Sequence, residues 1–409
     1  MSTAREQPWD SRYEWQTVTL LTLGFGLVGL DRWIVAPLFP SISKDLGLNY
    51  RDLGNLIGAL GLAWGACAVL AGGLSDRIGR RRVLVPALVG FSLLSGFTGL
   101  AQGLTSLVLI RALMGITEGS FCPTSFAATA EASKPSRRGL NLGVQQSAFP
   151  LFGLALGPIL ATQLLRVVDW RLIFVMVAVP GLLLAVLLWR SVRDPVTAGP
   201  RATERARLSE VMKHPNVLLG MAALMCAMSG IFVLSAMVPN YLIDYLGLTV
   251  QQMGFVTSAI GFGGFLGQVA LPGASDFLGR KTVLLAGFVL GAGLLYAFAH
   301  VGAKPGPLFA LLFASTFFCF GLLGVITGPI AAEAAPRGLI SSTAGIIIGS
   351  GEIFGGGIAP VIAGNVAQRY GIEHVLTMAL IGLTAGAVVS LFIRETAPKK
   401  RALSAVQPG

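Results

Sequence analysis

The stretch GGLSDRIGRRRVL, residues 72–84, returns as PGASDFLGRKTVL at residues 272–284. Asp76 and Asp276, Gly79 and Gly279, and Arg80 and Arg280 each stand 200 positions apart. The register holds upstream and slips by one residue downstream. Upstream, Gly47-Leu48 matches Gly247-Leu248 and Gly54 matches Gly254; downstream, Arg138-Gly139-Leu140 matches Arg337-Gly338-Leu339. A spacing kept across several sites is the mark of a duplicated unit.

Composition says what kind of unit is duplicated. The 409 residues are 54% hydrophobic and 12% charged, against about 25% charged in soluble domains. Mean hydropathy is +0.74. Glycine numbers 53, nearly twice the average share of about 7%, which suits closely packed membrane helices. Twelve apolar segments of about 20 residues can be marked, at 17–39, 52–74, 83–103, 105–131, 139–164, 171–190, 216–242, 252–274, 282–301, 307–333, 341–366 and 374–393. The long hydrophilic break, 191–215, holds Asp194-Pro195, Gly199-Pro200 and the run ATERARLSEVMKH, expected to be a short surface helix. It separates a first six-helix half (1–190) from a second (216–409).

Charge placement gives the orientation. Lys44, Arg51, Arg166, Arg171, Lys304 and Arg369 fall in one set of loops, and Arg32 and Arg111 lie inside spans. The rest of the 30 Lys and Arg residues occupy the opposite loops and the termini. By the positive-inside rule both termini are expected in the cytoplasm. Topology thus accounts for the net charge of +11, and no nucleic-acid partner is expected. The N-terminal MSTAREQPWDSRYEW does not read as a cleavable signal peptide. Cys67, Cys122, Cys226 and Cys319 lack CxxC spacing, and His214, His300 and His374 lie near segment ends; no disulfide, metal or other cofactor is expected. There is no G-x-x-x-x-G-K-[ST] phosphate loop, which argues against ATP drive.

Ionisable groups inside the spans carry the functional signal. Each costs roughly 2.5–3.5 kcal/mol at a helix centre, so a cluster of them implies a polar cavity. Asp31 and Arg32 sit in the first span, and Arg111 and Glu118 in the fourth. The last two are two turns apart on one helix face. Arg111 lies at a depth comparable to Asp31, so the two are expected to pair if their helices pack. The competing reading is a structural ion pair, but apolar residues would fix packing more stably.

At the turn between spans two and three, G-x-x-x-D-R-x-G-R-R (Gly72 to Arg81) resembles the signature loop of the major facilitator superfamily. R-x-x-x-G-x-x-x-G (Arg111, Gly115, Gly119) is similar to a second motif of that superfamily. The Asp31-Arg32 pair and the Arg111–Glu118 spacing resemble its anion:cation symporters, which include sugar-acid/proton and sialin-like carriers. Asp45-Leu46-Gly47-Leu48, Val238-Pro239-Asn240-Tyr241-Leu242 and Trp170-Arg171 with Phe174 are similar too. Spinster-like lysolipid carriers share the Asp-Arg and Glu positions. Two departures stand out. Some members have further cationic groups in the second half, where spans seven to twelve here hold no buried Arg or Lys, and Glu352 is an unexpected acid in span eleven.

The resemblance implies an all-α membrane protein with the major facilitator fold, twelve transmembrane helices in two pseudo-symmetric six-helix bundles. It also implies an interdomain latch of Asp76, Arg77, Gly79, Arg80, Asp276, Gly279 and Arg280, engaged when the cytoplasmic side is closed; a solvated topogenic loop is the plainer alternative. Gly153 to Pro158, GLALGP, resembles an antiporter motif without its final glycine and reads more simply as a bend with close helix packing. The residues suggest a division of labour. Arg32 is the expected anion contact, with Arg111 beside it, Glu118 the proton carrier, and Asp31 a second titrating or gating acid restrained by Arg111. Burial favours a neutral carboxyl and arginine favours the carboxylate, so an anion competing for the arginines would promote protonation of Glu118. Gln145 and Gln146 are candidate substrate hydrogen-bond donors, although one of two adjacent residues must face away. Tyr241 is a weaker candidate, as are Asn55, Trp64 and Gln268. Glu352 is either a snorkelling acid or a cavity residue.

The expectation is a monomeric secondary transporter of the cytoplasmic membrane that carries a small organic anion, a carboxylate or sugar acid, with protons by alternating access. The first rival is a lysolipid or drug carrier with a large apolar cavity open to lipid. The second is a membrane enzyme or receptor, for which no nucleophile–base cluster is present.

Overall fold

The computed structural model describes residues 10–134, 137–193, 211–335 and 340–397, with the side chains of 69–73, 76, 77 and 340–342 outside the description. All regular structure among these residues is helical. In chain order the helices are α1 (Ser11–Leu46), α2 (Tyr50–Ile78), α3 (Arg80–Thr98), α4 (Leu104–Ala132), α5 (Arg138–Leu164), α6 (Trp170–Ser191), α7 (Pro215–Tyr245), α8 (Val250–Leu278), α9 (Arg280–His300), α10 (Pro305–Ala334), α11 (Thr343–Tyr370) and α12 (His374–Phe392). Ten of them are long and apolar enough to cross a membrane; α2 and α3, which flank the charged Gly79 turn, fall outside that test. The surface helix expected within 191–215 falls largely on 194–210, outside the described residues.

The sequence repeat is a repeat of local structure. Asn49 and Asp52 cap α2 reciprocally, as Thr249 and Gln252 cap α8. Gly79 and Gly279 have φ of 101° and 97°, a region closed to side-chain-bearing residues, which explains the glycines. After each turn an arginine folds back. Arg80 donates to Ser75 and pairs with Glu131 at 2.9 Å; Arg280 donates to Ser275 and pairs with Glu333 at 2.9 Å. These arginines therefore tie each turn to the end of α4 or α10 within one half. Asp276 pairs with Arg280 at 2.6 Å, also inside its half. The side chains of Asp76 and Arg77 lie outside the described residues.

Two further anchors hold the first half. The quoted Asp45 and Trp170-Arg171 meet: Arg171 pairs with Asp45, and Trp170 donates its indole N–H to the same carboxylate at 3.2 Å. Glu14, buried near the start of α1, accepts from the Lys134 backbone, Arg137 and Asn141 at 3.0–3.2 Å.

The halves join through two crossings related by the repeat, α2 on α11 and α8 on α5. A Cβ at Gly61 would overlap the Gly356 carbonyl, and one at Gly261 would overlap the Leu154–Ala155 backbone. Gly54 faces the Pro360 carbonyl as Gly254 faces that of Pro158. The GLALGP segment is thus a close-packing device. Both crossings lie in the helix halves farthest from the Gly79 and Gly279 turns. On that closed side Tyr50 also donates to Asp244 at 2.8 Å. Toward the turns, Gly143, Gly328 and Gly345 have no atom within 4 Å of a would-be Cβ, and the halves part.

Four helices contain wide turns with i→i+5 bonding: Leu151–Leu156 in α5, Tyr241–Tyr245 in α7, Ile326–Ile330 in α10 and Glu352–Ile358 in α11. Such turns are rare and gather at functional sites.

Gly61→Val should break the closed side. Overpacking costs roughly 1–3 kcal/mol, enough to move a two-state equilibrium by about 5- to 150-fold. Spin labels at Lys44 and Tyr370 should report a longer distance; an unchanged distribution would show that the crossing does not set the state.

Glu395 caps the start of α9 by accepting the Arg280 and Lys281 backbone N–H groups at 2.9 and 3.3 Å. Burial alone would raise its pKa, but hydrogen bonds from the Ala397, Arg280, Lys281 and Thr396 backbones outweigh it and hold the carboxyl below its ordinary range. The stability it contributes is present above the unfolded-state pKa and is lost as pH falls through the folded value. Glu395→Gln should therefore melt below wild type at neutral pH, and the gap should close on acidification.

Candidate functional site

The site begins at a break in α1. Pro37 has no N–H for the Trp33 carbonyl, and the helix divides into Ser11–Trp33 and Val35–Leu46. Asp31 and Arg32 occupy the last turn before the break, where backbone groups are available to partners. Arg111 from α4 uses one: its Nη1 donates to the Asp31 carbonyl oxygen at 2.9 Å. The Asp31 carboxylate accepts instead from the Ser95 hydroxyl of α3 at 2.7 Å. The expected Asp31–Arg111 pairing is thus a contact with the main chain, because Ser95 holds the carboxylate.

Arg32 reaches across the molecule. Its Nη2 meets Glu352 Oε2 of α11 at 3.0 Å, and the two residues are 2% and 7% exposed. The guanidinium carbon lies 4.7 Å from the Phe232 ring centre, 5.8 Å from Trp33 and 5.9 Å from Trp64. Cation–π contact of this kind steadies a desolvated arginine. Arg32 Nε has no hydrogen-bond partner among the described residues. Glu118 is 0% exposed, and neither of its oxygens has a partner there either. It lies within electrostatic reach of Arg32, Asp31, Arg111 and Glu352 but does not line the cavity.

Five ionisable side chains therefore share one buried region: carboxyls of Asp31, Glu118 and Glu352, and guanidiniums of Arg32 and Arg111. Glu352 is the sole acid in this set from the second half. Among the described residues no arginine of the second half joins it; Arg280, though buried, stands at its turn.

Beside this region lies a cavity of about 120 Å³ between the halves. Phe25, Arg32, Trp64, Phe126, Gln146 and Phe149 line it from the first half, and Phe232, Gln268, Phe320, Thr327 and Glu352 are among those from the second. Of the two adjacent glutamines, Gln146 faces the cavity, while Gln145 turns to donate to Ser125 at 3.0 Å. Tyr241 lies elsewhere, stacked on Tyr245 at 5.2 Å in the wide turn ending α7. Sequence reasoning missed Ser95 and the phenylalanines. The serine carried one usable signal, the Ser92/Ser95 spacing on a single face of α3. A phenylalanine facing a cavity reads like one facing lipid.

Twelve helices in two repeated halves around a central cavity define a multi-pass membrane transporter. The chain belongs to the Major Facilitator Superfamily, whose family model matches residues 21–346 and 219–408. It is 27% identical over 362 residues to a hexuronate transporter of Bacillus subtilis (strain 168), covering 84% of this chain and 85% of that one. To a D-galactonate transporter of Escherichia coli O6:H1 it is 26% identical over 417 residues, covering 91% and 94%. A bacterial homologue of the human lysosomal transporter Spinster, in an inward-facing and occupied conformation, matches with a TM-score of 0.75 at 18% identity, covering 95% of this chain and 97% of that one. That likeness is one of fold.

Arg32→Ala should destabilise the protein by about 3–5 kcal/mol, because Glu352 is left buried without its partner. Replacing both, as Arg32→Met with Glu352→Leu, should recover most of that loss while anion binding stays absent. Thermal melting in detergent reads the first effect and ligand-induced shifts the second. A double variant no more stable than Arg32→Ala would show that the pair is not energetically coupled.

Proposed function

We propose that this protein carries a small organic anion together with protons across the cytoplasmic membrane by alternating access. The observation that carries the reading is the charge count of the buried region, three carboxyls against two guanidiniums. An unbalanced buried charge costs several kcal/mol, so a carboxylate entering beside these acids promotes proton uptake, which this reading places on Glu118. Anion and proton entry are thereby linked by electrostatics alone. The names of the hexuronate and galactonate relatives support an organic acid as the substrate class.

In this reading Arg32 and Arg111 supply the positive charge, Glu118 carries the proton and Asp31 is the second titrating acid. Gln146 contributes a hydrogen bond from the cavity wall, and Gln145 holds α5 to α4. The positive-inside bias of the loops puts the Gly79 and Gly279 turns, both termini and the 191–215 linker in the cytoplasm, so the parted side of the halves opens inward. The latch of Asp76, Arg77, Gly79 and Arg80 with Asp276, Gly279 and Arg280 engages when the cytoplasmic side closes, and Asp276 here pairs with Arg280 inside its own half. The protein works as a monomer. A lysolipid carrier is the weaker reading, because three carboxyls and two guanidiniums share the buried region beside the cavity.

Glu118→Gln tests the assignment in proteoliposomes. The variant should lose pH-driven accumulation while keeping anion exchange down a concentration gradient. Undiminished accumulation would move the proton to Asp31 or Glu352.

A further inference from the structure

The cavity wall discriminates among organic acids. Beyond the Arg32–Glu352 pair, its polar side chains include Gln146, Gln268 and Thr327, and the Thr327 hydroxyl already donates to the Leu323 carbonyl at 2.8 Å. Most of the remaining wall is aromatic or aliphatic. Phe25 packs edge-on against Phe126 with ring centres 5.0 Å apart and lies 5.4 Å from Phe149. Phe232 stands over the Arg32 guanidinium. A sugar acid brings four or five hydroxyls, each costing roughly 1–3 kcal/mol if buried without a partner. Gln146, Gln268 and the Trp64 indole N–H are the main polar groups the wall offers them besides Arg32 and Glu352, and the rest of the wall is mostly apolar.

Geometry points the same way. Phe25 and Arg32 are seven residues apart on α1, two turns or about 10 Å along the helix. That distance suits a carboxylate at one end and one ring at the other. Arg32 keeps Nε unpartnered beside its contact with Glu352, and a planar guanidinium grips a carboxylate best through two parallel N–H groups.

Resting on the organic-anion reading above, we infer that the substrate is a monocarboxylate with a single aromatic or similarly apolar ring. Its carboxylate takes the place of Glu352 on Arg32, and its ring lies among Phe25, Phe126 and Phe149. Glu352 is then an internal stand-in for the substrate. In the empty protein it neutralises Arg32, and it is released when a better-fitting carboxylate arrives. It also rejects weakly matched anions, which must displace a bonded carboxylate with nothing in the wall to compensate.

Thermal shift and counterflow in proteoliposomes, with 4-hydroxybenzoate and galactonate as probes, test this. The expected result is stabilisation and exchange by 4-hydroxybenzoate at concentrations at least tenfold below those galactonate needs. Phe149→Leu keeps an apolar residue but removes the aromatic ring, and should weaken 4-hydroxybenzoate by about 2- to 12-fold while sparing the melting transition. Glu352→Gln should strengthen it. Equal or better handling of galactonate overturns the ring preference and leaves the organic-anion reading standing. Failure of both anions with protein that melts in one transition overturns both. Unchanged affinity in Glu352→Gln overturns the displacement.

Discussion

A guanidinium buried in a membrane protein needs a counter-charge, and Arg32 finds its own in the other half of the molecule. That requirement organises much of the centre. Because Glu352 must come to Arg32, α11 lies across the cavity from α1 and closes against α2. Because Arg32 is thereby occupied, Arg111 is left to hold the Asp31 main chain, and Asp31 is left to Ser95. Glu118 remains in range of all four charges and bonded to none of the described residues. The aromatic residues around Arg32 are consequences as well, since a desolvated cation is steadied by the faces of Phe232, Trp33 and Trp64.

The two crossings of α2 with α11 and α8 with α5 do the complementary work. A membrane offers little hydrophobic drive between helices, so close backbone approach through glycine supplies dispersion contact. The repeat places the glycines in matched positions, and the closed side is accordingly two-fold in character. The central charges are not. The first half contributes four of the five groups, and the second contributes Glu352. Symmetry therefore belongs to the contacts between the halves and asymmetry to the buried charges.

Much of the architecture was legible because it is written in periodicities: the 200-residue offset, apolar segments of membrane length, and the Gly79 and Gly279 turns. The charged residues stood out in sequence because ionisable groups inside apolar spans are costly. Their partners were hidden. Nothing at Glu352 says that it meets Arg32, since the contact joins residues 320 positions apart and depends on how the halves pack. Asp31 and Arg111 were rightly judged close in depth, yet which oxygen accepts is decided by a serine on a third helix. Tyr241 had a polar group and an apolar setting, as any cavity residue does, but the wide turn at the end of α7 stacks it on Tyr245. The cavity's aromatic character was invisible, because phenylalanine is equally at home against lipid.

The wide turn Glu352–Ile358 gives α11 a property that a regular helix lacks. One extra residue in a turn advances the following side chains by about 100° around the axis. The stretch before it and the stretch after it are thus phased independently. Glu352 can face Arg32 while Gly357, Pro360 and Gly364 present a flat surface to α2. Had the helix run without the insertion, a residue suited to one neighbour would have been set against the other. The turn at Leu151–Leu156 does the same for α5, with Gln146 before it on the cavity and Pro158 after it on α8. Each of these helices is in effect two rulers joined end to end, one graduated for the cavity and the other for the opposing half.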